Sequence, residues 1–397
     1  MISKKVRAVS LSPTIKISAL VKEMQMKGED IIDLTVGEPD FPTPQNIKDA
    51  AILAINNNFT KYTSNTGTFE LRKAIAKKLE LDNGLKYSPE EVIVSAGAKQ
   101  SIYNAIQTLV CSGDEVIVSS PYYVSYPEMV TLAQGKTIVI PTTELNGFKI
   151  APLQLANTIT EKTKLLILCN PCNPTGTAYT KDELQELIAV VENTNIYILS
   201  DEIYEKVVYD DFKFYSAAAL NEKIKCRTVT INGHSKSYSM TGWRLGYAAG
   251  PEHIISAMGK YQSHCTGNSS SISQAAALEA LTGQQESVEI ARKEFEGRRN
   301  YLHSALTSIK GLTCYKPEGA FYLFPNISAF FYSYADNKPI NDSYNFAMYL
   351  LNTAKVATVP GIAFGAEGYV RISYSTSMDN LIKGVERIKT AVEKLII

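Results

Sequence analysis

No stretch of this 397-residue chain reaches 18 uninterrupted apolar residues, so no transmembrane helix is expected. The opening segment, MISKKVRAVSLSPTIKISALV, lacks the long apolar core of a secretory signal, and the expected location is the cytoplasm. Charge imbalance is missing too. Forty basic and 40 acidic residues give zero formal net charge, which offers nothing to attract nucleic acid or an anionic membrane. Only four histidines occur, and none lies three to five residues from another. The six cysteines are scattered in a long chain, the usage of reduced thiols. Cys169 and Cys172 form a CxxC, but no second pair accompanies it, so no metal site is expected. Neither a dinucleotide GxGxxG nor a phosphate-loop GxxxxGK is found, which removes the main support for a dehydrogenase or an NTPase.

What is present is an ordinary globular composition, 45% hydrophobic and 20% charged. Seven short apolar runs alternate with helical patterns: 91–97, 115–120, 136–141, 164–170, 196–201, 227–233 and 244–250. Nearly continuous apolarity is what strands covered on both faces require. Residues 99–110 and 181–192 read as crossover helices, the second capped by Thr180 with acidic residues in its first turn. The expected fold is α/β: a large domain with a seven-stranded, mostly parallel sheet flanked by helices, joined to a smaller α+β domain. The small domain is expected to hold a charged helix over 287–309 and strand-like pieces at 319–324 and 369–374. A closing amphipathic helix carries Met378, Leu381, Ile382, Val385, Ile388, Val392 and Leu395. The expected divisions are an N-terminal arm and part of the small domain over 1–45, the large domain over 46–290 and the small C-terminal domain over 291–397.

Four clusters fall at or just beyond the ends of candidate strands, where open α/β sheets form their ligand crevice. Ser95-Ala96-Gly97-Ala98-Lys99-Gln100 joins a strand to a helix, and a helix N-terminus offers unpaired N–H groups to an anion. Asn170-Pro171-Cys172-Asn173-Pro174-Thr175-Gly176 is a stiff loop that presents the Asn173 amide; a turn-capping asparagine is the plainer alternative. Asp201-Glu202-Ile203-Tyr204 ends a buried strand with an acid, which is costly unless a cation faces it. A helix-capping aspartate is the alternative there. Last comes Ser235-Lys236-Ser237-Tyr238-Ser239-Met240-Thr241-Gly242-Trp243-Arg244. A lysine that loses its proton among desolvating or cationic neighbours attacks carbonyls to form a Schiff base, and an arginine nearby suits a phosphate or carboxylate. Arg371 lies in the late run VRIS, where a planar guanidinium can hold a carboxylate bidentately or merely form a salt bridge.

In this order, GEPDFPTP, NPCNPTG, SDEIY and SKSYSMTGWRLGY resemble the fold-type-I, class I/II pyridoxal-phosphate-dependent aminotransferases nearly end to end. SSPYYVSYPE and GAKQ make the chain most similar to the bacterial-type aspartate aminotransferase subgroup. The resemblance implies a cofactor, pyridoxal 5′-phosphate (PLP), held covalently by Lys236, which later moves the substrate Cα proton. It implies that Asp201 pairs with the pyridine nitrogen, and that Tyr204 and Asn173 bond the phenolic oxygen. Tyr123 would stack on the ring, where tryptophan is common. Ala98, Lys99 and Arg244 would hold the phosphate, with Ser235 substituting for a serine that many relatives carry at the place of Gly233. Arg371 and the Gly37 backbone would bind the substrate α-carboxylate, and Lys99 with Thr14 a distal carboxylate. Tyr62 would reach the cofactor of a neighbouring subunit, which implies a homodimer.

The implied activity is ping-pong amino transfer from L-aspartate to 2-oxoglutarate, with small amino acids and 2-oxo acids as substrates. The alternatives are related donors: prephenate/glutamate, aromatic amino acids or alanine. Relatives acting on prephenate typically carry a lysine where Ser10 stands here, which disfavours that acceptor. A PLP-binding regulator without turnover would bring a basic helix-turn-helix segment, and none is present in this sequence.

Overall fold

The computed structural model describes residues 2–10, 13–335 and 338–395. The chain enters through helix Pro13–Met26 and a short strand, β1 (Ile32–Asp33). Seven strands follow: β2 (Val92–Ser95), β3 (Glu115–Ser120), β4 (Lys136–Pro141), β5 (Thr163–Cys169), β6 (Tyr197–Asp201), β7 (Thr228–Gly233) and β8 (Gly246–Ala249). They are the seven runs expected from the sequence, and they form one sheet in the order β2-β8-β7-β6-β5-β3-β4. Pairings from β7 through β4 are parallel, whereas β8 runs antiparallel to both β2 and β7.

The sheet is held from both faces, which is why its strands read as apolar without alternation. Ile93, Val116, Val118, Leu165, Ile167, Val229 and Ile231 pack with Ile102 and Ile106 of helix Ala98–Leu109. Ile117, Leu166, Leu168 and Ile198 pack on the other side with Leu184, Leu187 and Ile188 of helix Lys181–Val191. Each fully buried aliphatic side chain contributes ~1.5–3 kcal/mol by leaving water. Helix Lys181–Val191 begins as expected: the Thr180 hydroxyl accepts from the Glu183 N–H, and Glu183 reaches back to the Thr180 N–H.

The C-terminal part builds a second core. Helix Glu286–Thr307 buries Phe295, Leu302 and Leu306 against Phe321, Tyr322 and the closing helix Met378–Val392. Its strands are β9 (Tyr322–Leu323), β10 (Ser333–Ala335), β11 (Lys338–Ile340), β12 (Val356–Ala357), β13 (Val359–Pro360) and β14 (Val370–Ser373). The strand expected over 319–324 shrinks to β9, because Ala320 takes a left-handed backbone (φ 57) that interrupts extension. The closing helix stops at Val392, so Leu395 is buried beyond its end, while Ile382 lies on the solvent side at 36% exposure. The N-terminal segment packs here as well: β1 pairs with β12, and Ile17, Val21 and Met24 meet Leu351 and Ala357.

Candidate active site

The sheet topology brings the four sequence clusters to one edge. β5, β6 and β7 are parallel, so Cys169, Asp201 and Gly233 finish at the same end. β8 runs the other way, so its first residue, Gly246, lies beside Gly233 and beside Ser95 at the end of β2. Arg244, two residues before β8, is thereby carried to the same edge as Lys236, three residues after β7. A cavity of about 600 Å³ opens there. Gly37, Ala98, Lys99, Tyr123, Asn173, Asp201, Tyr204, Ser235, Lys236, Arg244 and Arg371 all line it.

Lys236 projects into this cavity with its Nζ donating to the Gly37 carbonyl at 2.5 Å, and lies 5.9 Å from the Tyr204 ring centre. Burial above all, then the charges of Arg371 and Arg244, pushes its amine down to about 8, against the pull of Glu38 and Asp201. At neutral pH a usable fraction is therefore unprotonated and nucleophilic.

Asp201 is buried at the end of β6, where its Oδ2 accepts from the Tyr126 hydroxyl at 2.6 Å. Burial pushes its carboxyl up to about 6 in spite of that bond, the Ile203 N–H and the Lys236 charge. The neighbouring Glu202 takes no part in the cavity, because strand alternation turns it to the opposite face. There Ser200 and Ser216 donate to its Oε1, and burial pushes it up to about 8.

Arg371 lies on β14, with its guanidinium 4.4 Å from the Tyr322 ring centre and 5.1 Å from that of Phe364. It donates to the Asn173 Oδ1 at 3.0 Å and to the Thr35 carbonyl at 2.7 Å. Its buried Nε has no hydrogen-bond partner among the described residues. Tyr204 shares a 2.8 Å hydrogen bond with the Tyr322 hydroxyl. Lys99 sits at the rim, its Nζ 5.5 Å from the Tyr123 ring centre.

One corner of the cavity is suited to an anion. Gly97 caps helix Ala98–Leu109 with φ 88, and the helix's first two residues, Ala98 and Lys99, line the cavity. A Cβ on Gly97 would fall 2.4 Å from the Arg244 guanidinium, and one on Gly246 2.2 Å from the Ala98 nitrogen. Arg244 itself holds a left-handed backbone (φ 52) and donates to the Thr241 carbonyl at 2.8 Å. A strained non-glycine residue at such a place fits a functional constraint.

Of the expected residues, Tyr62 is not brought to the cavity. Tyr62 is 96% exposed and does not line it, and the side chain of Thr14 lies outside the described residues. Conversely, Tyr126, Tyr322 and Phe364 belong to the site though no motif assigned them a role. Tyr126 stands inside SSPYYVSYPE, a segment that carries the resemblance, and Tyr322 inside the strand-like piece 319–324, but nothing local separates them from core aromatics. Among the described residues no cluster of histidine, cysteine, aspartate and glutamate could hold a metal ion, and no helix is long and apolar enough to cross a membrane.

The residues present fit a phosphorylated pyridine aldehyde. An amine, a buried carboxylate suited to a ring N–H, and a helix N-terminus beside an arginine match its aldehyde, nitrogen and phosphate. The partnerless Arg371 Nε matches a substrate carboxylate.

Comparison with known proteins shows the family. The family model "Aminotransferase class I and II" matches residues 29–388. The aspartate aminotransferase of Bacillus subtilis (strain 168) is 48% identical over 393 residues, covering 99% of each chain. The probable aspartate/prephenate aminotransferase of Rickettsia bellii (strain RML369-C) is 46% identical over the full length of both. The crystal structure of the aspartate aminotransferase from Rhizobium meliloti superposes with a TM-score of 0.97 at 40% identity, covering all of both chains.

Proposed function

The chain belongs to the class I and II aminotransferases, and from that membership we propose that it transfers the amino group of L-aspartate to 2-oxoglutarate in a reversible ping-pong cycle. The cofactor is PLP, which when bound supplies the electron sink that stabilises charge at the substrate Cα. The observation that carries the reading is the convergence of Lys236, Asp201, Arg371 and the Ala98 helix start on one cavity.

The residues divide the work by chemistry. Lys236 holds the cofactor, and its amine, once released, moves the proton at the substrate Cα. Asp201 keeps the ring nitrogen protonated, and Tyr123 covers the ring. Tyr204 and Asn173 bond the phenolic oxygen. The Ala98 and Lys99 N–H groups hold the phosphate with Arg244 and Ser235. Arg371 grips the substrate α-carboxylate beside the Gly37 backbone. Lys99 and Thr14 select a donor with a second carboxylate. We assign the arm to 1–45, the cofactor-binding unit to 46–290 and the small unit to 291–397, and place the enzyme in the cytoplasm.

The assembly is a homodimer. Tyr62 is exposed and does not line its own cavity, which supports the reading that it serves that of the partner. Exposed Ile52, Leu53 and Ile55 on helix Gln45–Asn56, with Phe59 and Phe69 on either side of Tyr62 in sequence, supply apolar surface for such a contact.

A steady-state panel of amino donors tests the assignment. Aspartate should lead in kcat/KM, and the visible absorbance of the bound cofactor should change on adding aspartate and return on adding 2-oxoglutarate. An aromatic donor or alanine in the lead would overturn it. Prephenate belongs in the panel as an acceptor, because the Rickettsia relative is named for it. Ser10 in place of lysine predicts that it reacts poorly.

A further inference from the structure

Cys169 and Cys172 have no part in amino transfer as derived above, yet they sit at its centre. Cys169 ends β5, lines the Lys236 cavity and pairs across the sheet with Asp201. Cys172 is buried one residue before Asn173. All six cysteines of the chain are free thiols.

Neither sulfur of the pair is firmly held elsewhere. Cys169 donates to the Pro171 carbonyl at 3.5 Å and Cys172 to the Pro121 carbonyl at 3.9 Å, both long bonds from a weak donor. The two thiols also interact with each other. Hydrogen bonding from Cys169 makes Cys172 the more acidic of the two, and Cys169 correspondingly less so. A thiol of raised acidity with a second thiol against it is the arrangement in which oxidation stops reversibly at a disulfide. The cavity beside Cys169 gives a small oxidant its way in.

We propose that Cys169 and Cys172 are a reversible oxidation site for hydroperoxides, and that closing their disulfide weakens the cofactor site. One sulfur, as thiolate, attacks a peroxide oxygen. The O–O bond breaks, the thiolate becomes a sulfenic acid, and the other oxygen leaves as water or an alcohol after taking up a proton. The second sulfur then attacks the sulfenic sulfur. An S–S bond forms, and the hydroxyl leaves as water with the second thiol's proton. Two electrons pass from the pair to the peroxide.

The new bond ties the end of β5 to the segment that carries Asn173. It also replaces the thiol that interacts with Tyr126 and Asp201. Weakening of the site rests on the PLP reading, whereas formation of the bond does not.

The test treats the purified holoenzyme with hydrogen peroxide, alkylates the remaining thiols and digests with trypsin. The peptide Leu165–Lys181 should appear unalkylated and lighter by two hydrogens. Bound cofactor should be lost on gel filtration, and dithiothreitol should restore both. Cys172→Ser should keep its cofactor through the same treatment. Alkylation of both cysteines after peroxide, an equal loss of cofactor in Cys172→Ser, or a linked peptide with cofactor retained would each overturn the proposal. Should the untreated protein take up no PLP, the aminotransferase reading fails, while the peptide mass still decides the oxidation.

Discussion

In the proposed reaction two residues set the chemistry, and burial shifts them in opposite senses. Lys236 falls from 10.5 to about 8 and Asp201 rises from 3.8 to about 6. Between about 8 and 10.5 the unfolded chain binds more protons at the lysine, so its cofactor-free stability rises with pH across that window. Between 3.8 and about 6 the native state binds more protons at the aspartate, so that contribution falls as pH rises. The functional counterpart is direct. Covalent capture of PLP by the cofactor-free protein, trapped with borohydride, should accelerate up to about pH 8 and then level off. A rate still climbing steeply above pH 10 would mean that the amine is not desolvated.

In the proposed reaction Tyr126 acts through Asp201 as a positioning residue. Tyr126→Phe removes the 2.6 Å bond and drives the carboxyl further up. The loss of a hydrogen bond to a charged group, ~1.5–3 kcal/mol, should weaken PLP binding by about tenfold or more. It should also shift the acid limb of the rate profile upward, which a merely structural tyrosine would not do. Asp201 was legible in SDEIY because an acid ending an apolar strand needs a reason. Tyr126 was not, since its partner lies 75 residues away and its own surroundings look like core.

At the scale of elements, β8 is decisive. All seven strands could be read from continuous apolarity, but no local signal marks β8 as antiparallel or places it between β2 and β7. That placement turns Arg244 toward the cavity and lays the Gly246 backbone on the start of helix Ala98–Leu109. The contact is too close for any side chain. Gly246→Ala must push the helix start away from Arg244, costing ~1–3 kcal/mol of stability as overpacking does. Phosphate or PLP affinity should fall further than stability alone explains, measured by denaturant titration alongside cofactor titration. An alanine variant with wild-type affinity would show that the helix N-terminus does not hold the phosphate. The small strands were less legible for a different reason: β9 and β13 are two residues long, bounded by turns such as the one at Ala320, and carry no periodicity to read.

For the whole molecule, the exposure of Tyr62 is the observation with the longest reach. A tyrosine 96% exposed, in a loop where exposed apolar side chains cluster in sequence, is surface in one chain; in the proposed dimer it becomes a part of the neighbouring site. Arg244 leaves room for it. The guanidinium lines the cofactor cavity and also a second cavity, of about 670 Å³, bordered by Trp243, Asn268, Ser269 and Ser270. A side chain arriving from a partner through that space would meet the phosphate corner. Complementation then follows from the proposed dimer. Lys236→Ala destroys a protomer's own site but spares the Tyr62 that it lends; Tyr62→Ala does the reverse. A hybrid dimer of the two holds one site with Lys236 and a donated tyrosine, and one site with neither. Co-refolding the two variants should therefore regenerate sites with wild-type PLP affinity, up to half of those in each hybrid, although Lys236→Ala alone is inactive and Tyr62→Ala alone binds PLP weakly. If the mixture binds no better than Tyr62→Ala by itself, or if a fully active monomer sediments, each chain completes its own site and the shared-site dimer is wrong.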